Sequence, residues 1–324
     1  MKKIIKLAVF VLVFTLLAVY GAAQGQATDA VTRATPAEES PTIVFVTPAA
    51  EHGWLAGVIY FAEQRAAQLR LENFRLITSV SVGEQASQLD ELIGQNVDAI
   101  VLMPHTFELA LAANNVIRAG IPLVVFNRYV EMEYDAYLAG SNPTMGQESA
   151  RIIGNMLEGS GRVAVLHVPS AGSTSVVRTE NFQQVMAEEF SDIVLFDITA
   201  DNFTREAGLR TGSDMLVAHQ HIDAIFSIDD ESSMGILQAI REAGRTDIRM
   251  ISGGGGAQAY FREIYTDRNI FLFTATYSPR MAGDALETAV RILNGETVER
   301  QIIIPPVIIT RDNVVDWFDD DSPY

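Results

Sequence analysis

Short runs of β-prone apolar residues alternate along this chain with longer segments whose apolar positions follow a helical period. The first run spans Ile43 to Thr47, and a polar, glycine-containing turn follows it at residues 48–53. A continuous apolar run of this kind is typical of a strand that is buried on both faces. The turn therefore lies at the carboxyl end of a predicted strand, the edge where open α/β sheets bind ligands.

The alternation runs to about residue 140 and then begins again. Residues 97–100 and 222–225 carry nearly the same sequence, and each precedes a strand, a helix and an Ala-Gly pair. This echo supports two halves of common architecture, with chance similarity between βα units as the alternative. Repeated βα units predict an α/β fold with parallel sheets covered on both faces. Predicted strands span residues 43–47, 75–80, 99–102, 123–126, 136–139, 163–167, 193–198, 224–228, 249–252 and 271–276.

The end of the chain is less regular. A helix predicted at residues 279–293 stops at Asn294-Gly295, and residues 302–309 form two short extended pieces broken by two prolines. This part is too short for a third domain and must pack on the earlier ones. Residues 316–324 are acidic, and we expect them to fray.

The amino terminus has the pattern of a targeting segment. Lys2, Lys3 and Lys6 precede an apolar stretch at residues 7–19, and the small residues 21–23 offer a cleavage site. The alternative is a retained membrane anchor, but the apolar stretch is short for a spanning helix. We therefore predict a signal peptide at residues 1–23 and a flexible leader at 24–41, with export to the periplasm. Because the chain has no cysteine, no lipid anchor is expected.

Composition excludes several classes of function. Hydrophobic residues make up 48% of the chain, enough for real cores, and the formal net charge of −18 makes nucleic acid a poor partner. Without cysteine there are no disulfides, no thiolate catalysis and no Cys-based zinc site. Neither a nucleophile elbow nor a His-Glu metal helix is present, so we predict no enzyme, no metal and no cofactor. The glycine run 253–256 lacks a following Lys-Ser/Thr pair and is interpreted as a permissive turn.

Several segments together resemble the periplasmic sugar-binding proteins of the ribose and galactose type, which share a fold with the effector domains of lac-repressor-like regulators. The resemblance covers residues 42–310 and depends on the order and spacing of the segments. They are the opening strand and turn, Ile121 to Arg128, Gly140 to Asn142, Ser175 to Phe182, Ala224 to Asp230, and Tyr277 to Pro279 with Gly283.

The resemblance implies two Rossmann-like lobes joined by a three-strand hinge, with one ligand in the cleft between them and closure on binding. The first lobe would comprise residues 42–140 and 277–304, and the second 144–274 and 305–310, followed by an acidic C-terminal tail at 311–324. It also implies a monomer that delivers its ligand to the membrane permease of an ABC importer. The alternative is a sensory module that reports ligand occupancy to a chemoreceptor or sensor kinase.

Polar and aromatic residues follow several of the predicted strands, where side chains from both lobes can converge. Sugar hydroxyls need donors and acceptors when they lose water, and the C–H faces of the ring favour aromatic surface. By resemblance, Trp54 and Phe203 sandwich the ring, Arg128 and Arg178 donate from opposite lobes, and Asp229 accepts. The predicted ligand-binding residues are Glu51, His52, Trp54, Asn127, Arg128, Asn142, Arg178, Phe203, Asp229, Gly254 and Tyr277.

The chain departs from the ribose pattern at three of these positions. Ribose-type binders usually carry Asp at position 127, Asp at position 254 and Gln at position 277, where this chain has Asn127, Gly254 and Tyr277. Ribose itself is therefore doubtful, although Glu51 and Glu231 could restore acceptors. A ligand with fewer vicinal hydroxyls at that end, or one with a bulkier group placed over the glycines, would suit the site better. We predict a small sugar or polyol, with a furanose autoinducer or a nucleoside as the non-sugar alternative.

Each candidate also has a purely structural interpretation. Trp54 and Phe203 could be core residues, and the two arginines could be surface ion-pair partners in so acidic a chain. Residues 229–231 could be an N-cap followed by first-turn acids that the helix dipole favours.

Overall fold

The structure is a computed structural model, and it describes residues 40–50 and 52–324. The strands in this part of the chain form two six-stranded sheets. They are β1 (Ile43–Pro48), β2 (Phe74–Ser79), β3 (Ala99–Leu102), β4 (Leu123–Phe126), β5 (Ala136–Gly140), β6 (Gly161–His167), β7 (Ile193–Thr199), β8 (Ala224–Phe226), β9 (Met250–Gly255), β10 (Phe271–Thr276), β11 (Gln301–Ile304) and β12 (Ile308–Ile309).

The two sheets have equivalent strand orders. The first runs β11-β5-β4-β3-β1-β2, and the second runs β12-β10-β9-β8-β6-β7. Their strand pairs are parallel except for β10 with β12, which is antiparallel. The predicted α/β fold with two similar lobes is confirmed. In each sheet the strand order reverses beside β1 or β6, which is where doubly wound sheets form their binding crevice.

Helices cover both faces of each sheet. In β1, Ile43 and Phe45 pack with helices on one side, while Val44 and Val46 pack with helices on the other. All four side chains are fully buried, which explains the continuous apolar run. The helices are α1 (Gly53–Gln68), α2 (Val82–Gly94), α3 (Ala110–Arg118), α4 (Asn142–Met156), α5 (Ser173–Glu189), α6 (Arg205–Ala218), α7 (Asp230–Ala243), α8 (Gln258–Thr266) and α9 (Met281–Leu293).

The chain passes between the two sheets three times. The first crossing leads from β5 to α4, which packs on α5 in the second lobe. The second leads from β10 to α9, which packs on α1 in the first lobe. The third joins β11 to β12. The crossing segments are hydrogen-bonded, with Ser141 N–H donating to Ile304 O at 2.9 Å and Thr276 N–H to Val307 O at 3.0 Å. These segments form the three-strand hinge.

Two predictions about local structure are wrong. The glycine run is not a turn, because its residues up to Gly255 belong to β9. Of the run, only Gly256 lies beyond the end of the strand. The acidic tail does not fray: residues 314–317 form a short 3₁₀ helix, and Tyr324 packs against the core of the second lobe. Specific contacts between the tail and both lobes, described below, account for its order.

The predicted targeting segment lies outside the residues that the structure describes, whereas the remaining helices can be compared with the length of a membrane span. Within residues 40–50 and 52–324, no helix is both long and apolar enough to cross a membrane. The predicted signal peptide at residues 1–23, and the predicted leader up to residue 39, lie outside the described residues.

Candidate ligand-binding site

A cleft of about 690 Å³ lies between the two lobes. Many of its lining residues lie within three positions of the carboxyl end of a strand: Ala49 after β1, Arg128 after β4, Asp229 after β8 and Tyr277 after β10. Parallel strands bring these ends to one edge of each sheet, so the two edges face each other across the cleft. The volume lies within the range of about 300–1,000 Å³ usual for small-molecule sites.

Most of the predicted ligand-binding residues meet in this cleft. Asn142 does not line it and lies instead behind Arg178, and Glu51 is outside the described residues. The predicted residues that line the cleft are His52, Trp54, Asn127, Arg128, Arg178, Phe203, Asp229, Gly254 and Tyr277.

Trp54 is held firmly at the start of α1. Its indole N–H donates to the main-chain oxygen of Tyr277 at 2.7 Å. Its ring lies nearly parallel to that of Phe126, with centroids 6.3 Å apart and planes 11° apart. The side chain is half-buried, so it belongs both to the edge of the core and to the cleft wall. Phe203 has the same double role in the second lobe, because it packs against that core and lines the cleft.

Arg178 is a buried cation that points into the cleft from α5. Its Nε donates to Oδ1 of Asn142 at 2.8 Å and its Nη1 to the main-chain oxygen of Ile228 at 2.6 Å. Its guanidinium carbon lies 5.1 Å from the centre of the Tyr277 ring. Burial lowers the pKa of Arg178, yet no described carboxylate forms an ion pair with it. These contacts fix the guanidinium and leave other N–H groups free for a ligand.

Arg128 presents a second cation from the opposite lobe. Its side chain is exposed within the cleft, and it makes no ion pair with any residue in the described part of the chain. The interpretation of the two arginines as surface ion-pair partners therefore has no support in the described contacts. Partial desolvation lowers the pKa of Arg128.

Asp229 supplies the cleft's buried acceptor. Its Oδ1 accepts the Ser232 N–H at 2.8 Å and so caps α7, as the structural interpretation expected. Its Oδ2 is buried and has no hydrogen-bond partner among the described residues. Burial raises the pKa of Asp229 to about 7, although the Ser232 hydrogen bond and the Arg178 charge oppose this rise. An unpaired buried carboxylate oxygen is costly and calls for a donor from a ligand.

The two acids that follow Asp229 have different roles. Asp230 is fully satisfied, accepting from Thr274 Oγ1 at 2.6 Å and from the N–H groups of Gly256 and Ala257 at 2.6 and 2.7 Å. It is therefore a structural residue that fixes the loop after β9. Glu231 lines the cleft and faces the first lobe, with Oε1 3.2 Å from the position that a Cβ would take on Gly53.

Some lining residues escaped the sequence analysis. His105 follows β3 by three positions, so the same strand-end rule could have found it; its Nε2 lies 3.0 Å from Ser79 Oγ. Ser170 adds a hydroxyl group to the lining, as does Thr174, which the sequence already indicated as a hydroxyl neighbour of Arg178. Tyr324 had no signal in the sequence, because its position depends entirely on how the tail packs.

Two equivalent α/β lobes around a cleft of donors, acceptors and aromatic rings define a hinged solute-binding protein. Residues 43–297 match the model of the periplasmic binding protein domain, and the chain belongs to this family. The predicted family membership is confirmed.

Named relatives and a solved structure agree with this assignment. A ribose import binding protein of Bacillus subtilis is 30% identical over 226 residues, 68% of this chain and 72% of that protein. A xylitol-binding protein of Mycolicibacterium smegmatis is 28% identical over 240 residues, 72% of this chain and 67% of that protein. The crystal structure of a periplasmic solute-binding protein from Actinobacillus succinogenes with bound D-allose has a TM-score of 0.76 and 20% identity, covering 86% of this chain and 100% of that one.

Proposed function

We propose that this protein is the substrate-binding component of an ABC importer and that it holds a small, neutral sugar or polyol in the interlobe cleft. Membership of the periplasmic binding protein family and the ribose- and xylitol-binding relatives support this function. The observation that carries the choice of ligand is the unpartnered Oδ2 of Asp229 in a cleft that also holds Arg178 and the Trp54 ring.

The charges in the cleft favour a neutral ligand. The cleft holds both cations, Arg128 and Arg178, and acids, Asp229 and Glu231, so a charged ligand of either sign would meet a like charge. Hydroxyl groups can donate to the acids and accept from the arginines at once. A polyhydroxylated ligand satisfies both sets.

The ligand contacts come from both lobes. Trp54, Asn127 and Arg128 belong to the elements of the first sheet, whereas Arg178, Phe203 and Asp229 belong to those of the second. A ligand that bridges the two sets stabilises the closed arrangement over an open one. The hinge formed by the three crossing segments is the element that would bend. The closed, loaded protein is the form that an importer's permease would receive.

We infer that the protein acts in the periplasm and performs no chemical step on its ligand. The relatives matched by the chain are binding proteins, which supports a binding role. The export prediction depends on residues 1–23, which lie outside the described part.

Native mass spectrometry of the purified protein, followed by thermal-shift and calorimetric titration with D-ribose, xylitol and D-allose, tests the proposal. We expect saturable 1:1 binding of at least one sugar or polyol. Asp229→Asn should weaken that binding, because the Oδ2 acceptor is lost. Asp90→Asn, on the exposed face of α2, removes the same charge and should leave affinity unchanged. Stabilisation by amino acids or metal ions and by no sugar or polyol would overturn the proposal.

A further inference from the structure

The end of the tail segment (residues 311–324) places Tyr324 between the two lobes. In the first lobe, its ring atom Cδ2 lies 3.2 Å from the position that a Cβ would take on Gly53, and its Cβ lies equally far, 3.2 Å, from the corresponding position on Gly57. In the second lobe, its hydroxyl oxygen lies against Gly255 at the end of β9, where a Cβ would collide with it. Glycine at these three positions leaves the space that the tyrosine occupies.

Several contacts hold the tail segment in this place. Asp319 pairs with Arg280 at 2.5 Å, and its N–H donates to Oε1 of Gln258 at 2.9 Å. Nε2 of the same glutamine donates to the main-chain oxygen of Trp317 at 3.1 Å. Ser322 Oγ then donates to the main-chain oxygen of Tyr324 at 2.6 Å. Arg280 lies on the crossing into α9 and Gln258 opens α8, so the segment is fixed to the hinge and to the second lobe.

Tyr324 forms the wall between two cavities. It lines the cleft, and it also lines a small cavity of about 10 Å³ bounded by Phe61, Gly256 and Trp317. Among the residues that the structure describes, no other side chain lines both spaces. Without the ring, the cleft would extend past Gly255 toward Trp317.

The hydroxyl of Tyr324 is a donor set among acids. Burial, together with the nearby carboxylates of Asp230, Asp229 and Glu231, raises the pKa of Tyr324 well above its ordinary value, while the Arg178 charge opposes this. The phenol therefore stays protonated at neutral pH. Its ring presents one more aromatic surface to a ligand, and its O–H presents one more donor.

We propose that Tyr324 is a ligand-binding residue of the cleft and that its ring sets the size limit of the ligand at about one monosaccharide. This inference depends on the proposed function and deepens it. The Tyr324 side chain itself occupies the space over the glycine run in which the sequence suggested a bulky ligand group. A ligand extended by a second sugar ring in that direction would collide with the Tyr324 ring, so the side chain acts against longer saccharides as well as in favour of short ones.

Size selectivity in Tyr324 variants tests this inference. The probes are D-ribose, xylitol and D-allose as short ligands and sucrose and trehalose as long ones, titrated by calorimetry. Tyr324→Ala should lower affinity for the bound short ligand about ten-fold, since an aromatic contact is lost, and should raise the long-to-short affinity ratio by about ten-fold or more. Tyr324→Phe keeps the wall and should retain the wild-type ratio. Phe318→Ala is the matched control, because it removes a tail-segment aromatic that is partly exposed and does not line the cleft.

The outcomes separate the two proposals. If the wild-type chain binds short ligands and Tyr324→Ala shows an unchanged ratio, the assignment of Tyr324 is wrong while the proposed function stands. A ratio altered equally in Tyr324→Phe or Phe318→Ala also overturns it, because the ring itself would then not be the determinant. If the wild-type chain binds none of the sugars and polyols, the proposed function fails and this inference fails with it.

Discussion

Tyr277 donates a hydrogen bond from its hydroxyl to Oδ1 of Asn127 at 2.8 Å. The bond joins two of the three positions at which the chain departs from ribose-type binders. Asn127 follows β4 with a left-handed backbone (φ 67°), a conformation that asparagine tolerates better than most residues. Because its amide oxygen is engaged, the side chain offers the ligand N–H donors. This part of the cleft therefore presents an amide donor where ribose-type binders usually carry a carboxylate, and an aromatic ring where they usually carry a glutamine.

Removal of this hydrogen bond should weaken ligand binding without unfolding the protein. In Tyr277→Phe the ring still covers Gly140, but the Asn127 amide loses its partner and its fixed orientation. A lost hydrogen bond of this kind is worth about 0.5–1.5 kcal/mol, so we expect affinity to fall about two- to ten-fold. Isothermal titration calorimetry measures the change.

Tyr137→Phe is the matched control for this prediction. The Tyr137 hydroxyl donates to the main-chain oxygen of Asn127 at 3.1 Å and does not line the cleft. Its removal leaves the side-chain amide oriented, so ligand affinity should stay near the wild-type value. Equal losses in the two variants would contradict the role of the Tyr277 hydroxyl.

Ligand affinity should depend on the ionisation of Asp229. The folded-state pKa of about 7 lies above the ordinary value of 3.8, so between these values the folded protein holds a proton that the unfolded chain lacks. Stability is therefore expected to fall as pH rises through this window. A ligand hydroxyl that donates to Oδ2 favours the ionised form, so affinity should fall by up to about ten-fold for each pH unit below 7.

Calorimetry between pH 5 and 8 checks this dependence, with pH values chosen as about one-unit steps around the Asp229 pKa. Asp229→Asn should bind more weakly and show a flatter pH profile. His52 and His105 also line the cleft, so the variant is needed to separate their contribution. If ligand affinity in Asp229→Asn depends on pH as it does in the wild-type protein, Asp229 is not the source of that pH dependence.

Asn142 should act through Arg178. Arg178→Lys loses the planar contacts of a buried guanidinium, and we expect about a 100-fold loss of affinity. Asn142→Ala removes the acceptor of Nε, 2.8 Å away, together with a side-chain contact to Tyr277, and should cost about five-fold. In the Arg178→Lys background the Asn142 change should add little, because its partner is already altered. If the affinity losses of the two single variants instead multiply in the double variant, Asn142 contacts the ligand directly.

Trp54 should report ligand binding by fluorescence. The chain has two tryptophans, and only Trp54 lines the cleft, whereas Trp317 lies on the 3₁₀ helix of the tail segment. Trp54→Ala should reduce affinity at least about ten-fold. It should also lower the free energy of unfolding by about 2–3 kcal/mol, less than for a fully buried tryptophan. Trp317→Phe should retain the ligand-induced emission change, and loss of that change there would contradict the assignment.

Much of the fold and part of the site could be predicted from local patterns. The runs at residues 99–102 and 123–126 are strands with those same bounds, because continuous apolar residues must be buried on both faces. Asn127, Arg128 and Asp229 line the cleft because they lie within three positions of the ends of strands that share one edge in each sheet. The structural interpretation of Asp229 as an N-cap is confirmed for Oδ1, while the predicted ligand contact stays a prediction that the unpartnered Oδ2 supports.

The sequence by itself determined the doubled α/β architecture, the edge at which side chains converge and several of the residues that lie there. These properties follow from local hydrophobic periodicity, which dictates burial. Only the tertiary structure decided that Asn142 contacts Arg178 from outside the cleft and that Tyr324 lines the cleft. It also decided that Asp230 accepts hydrogen bonds from the main chain of Gly256 and Ala257. Such contacts join residues distant in sequence, and no local pattern encodes which partner a side chain meets across a hinge.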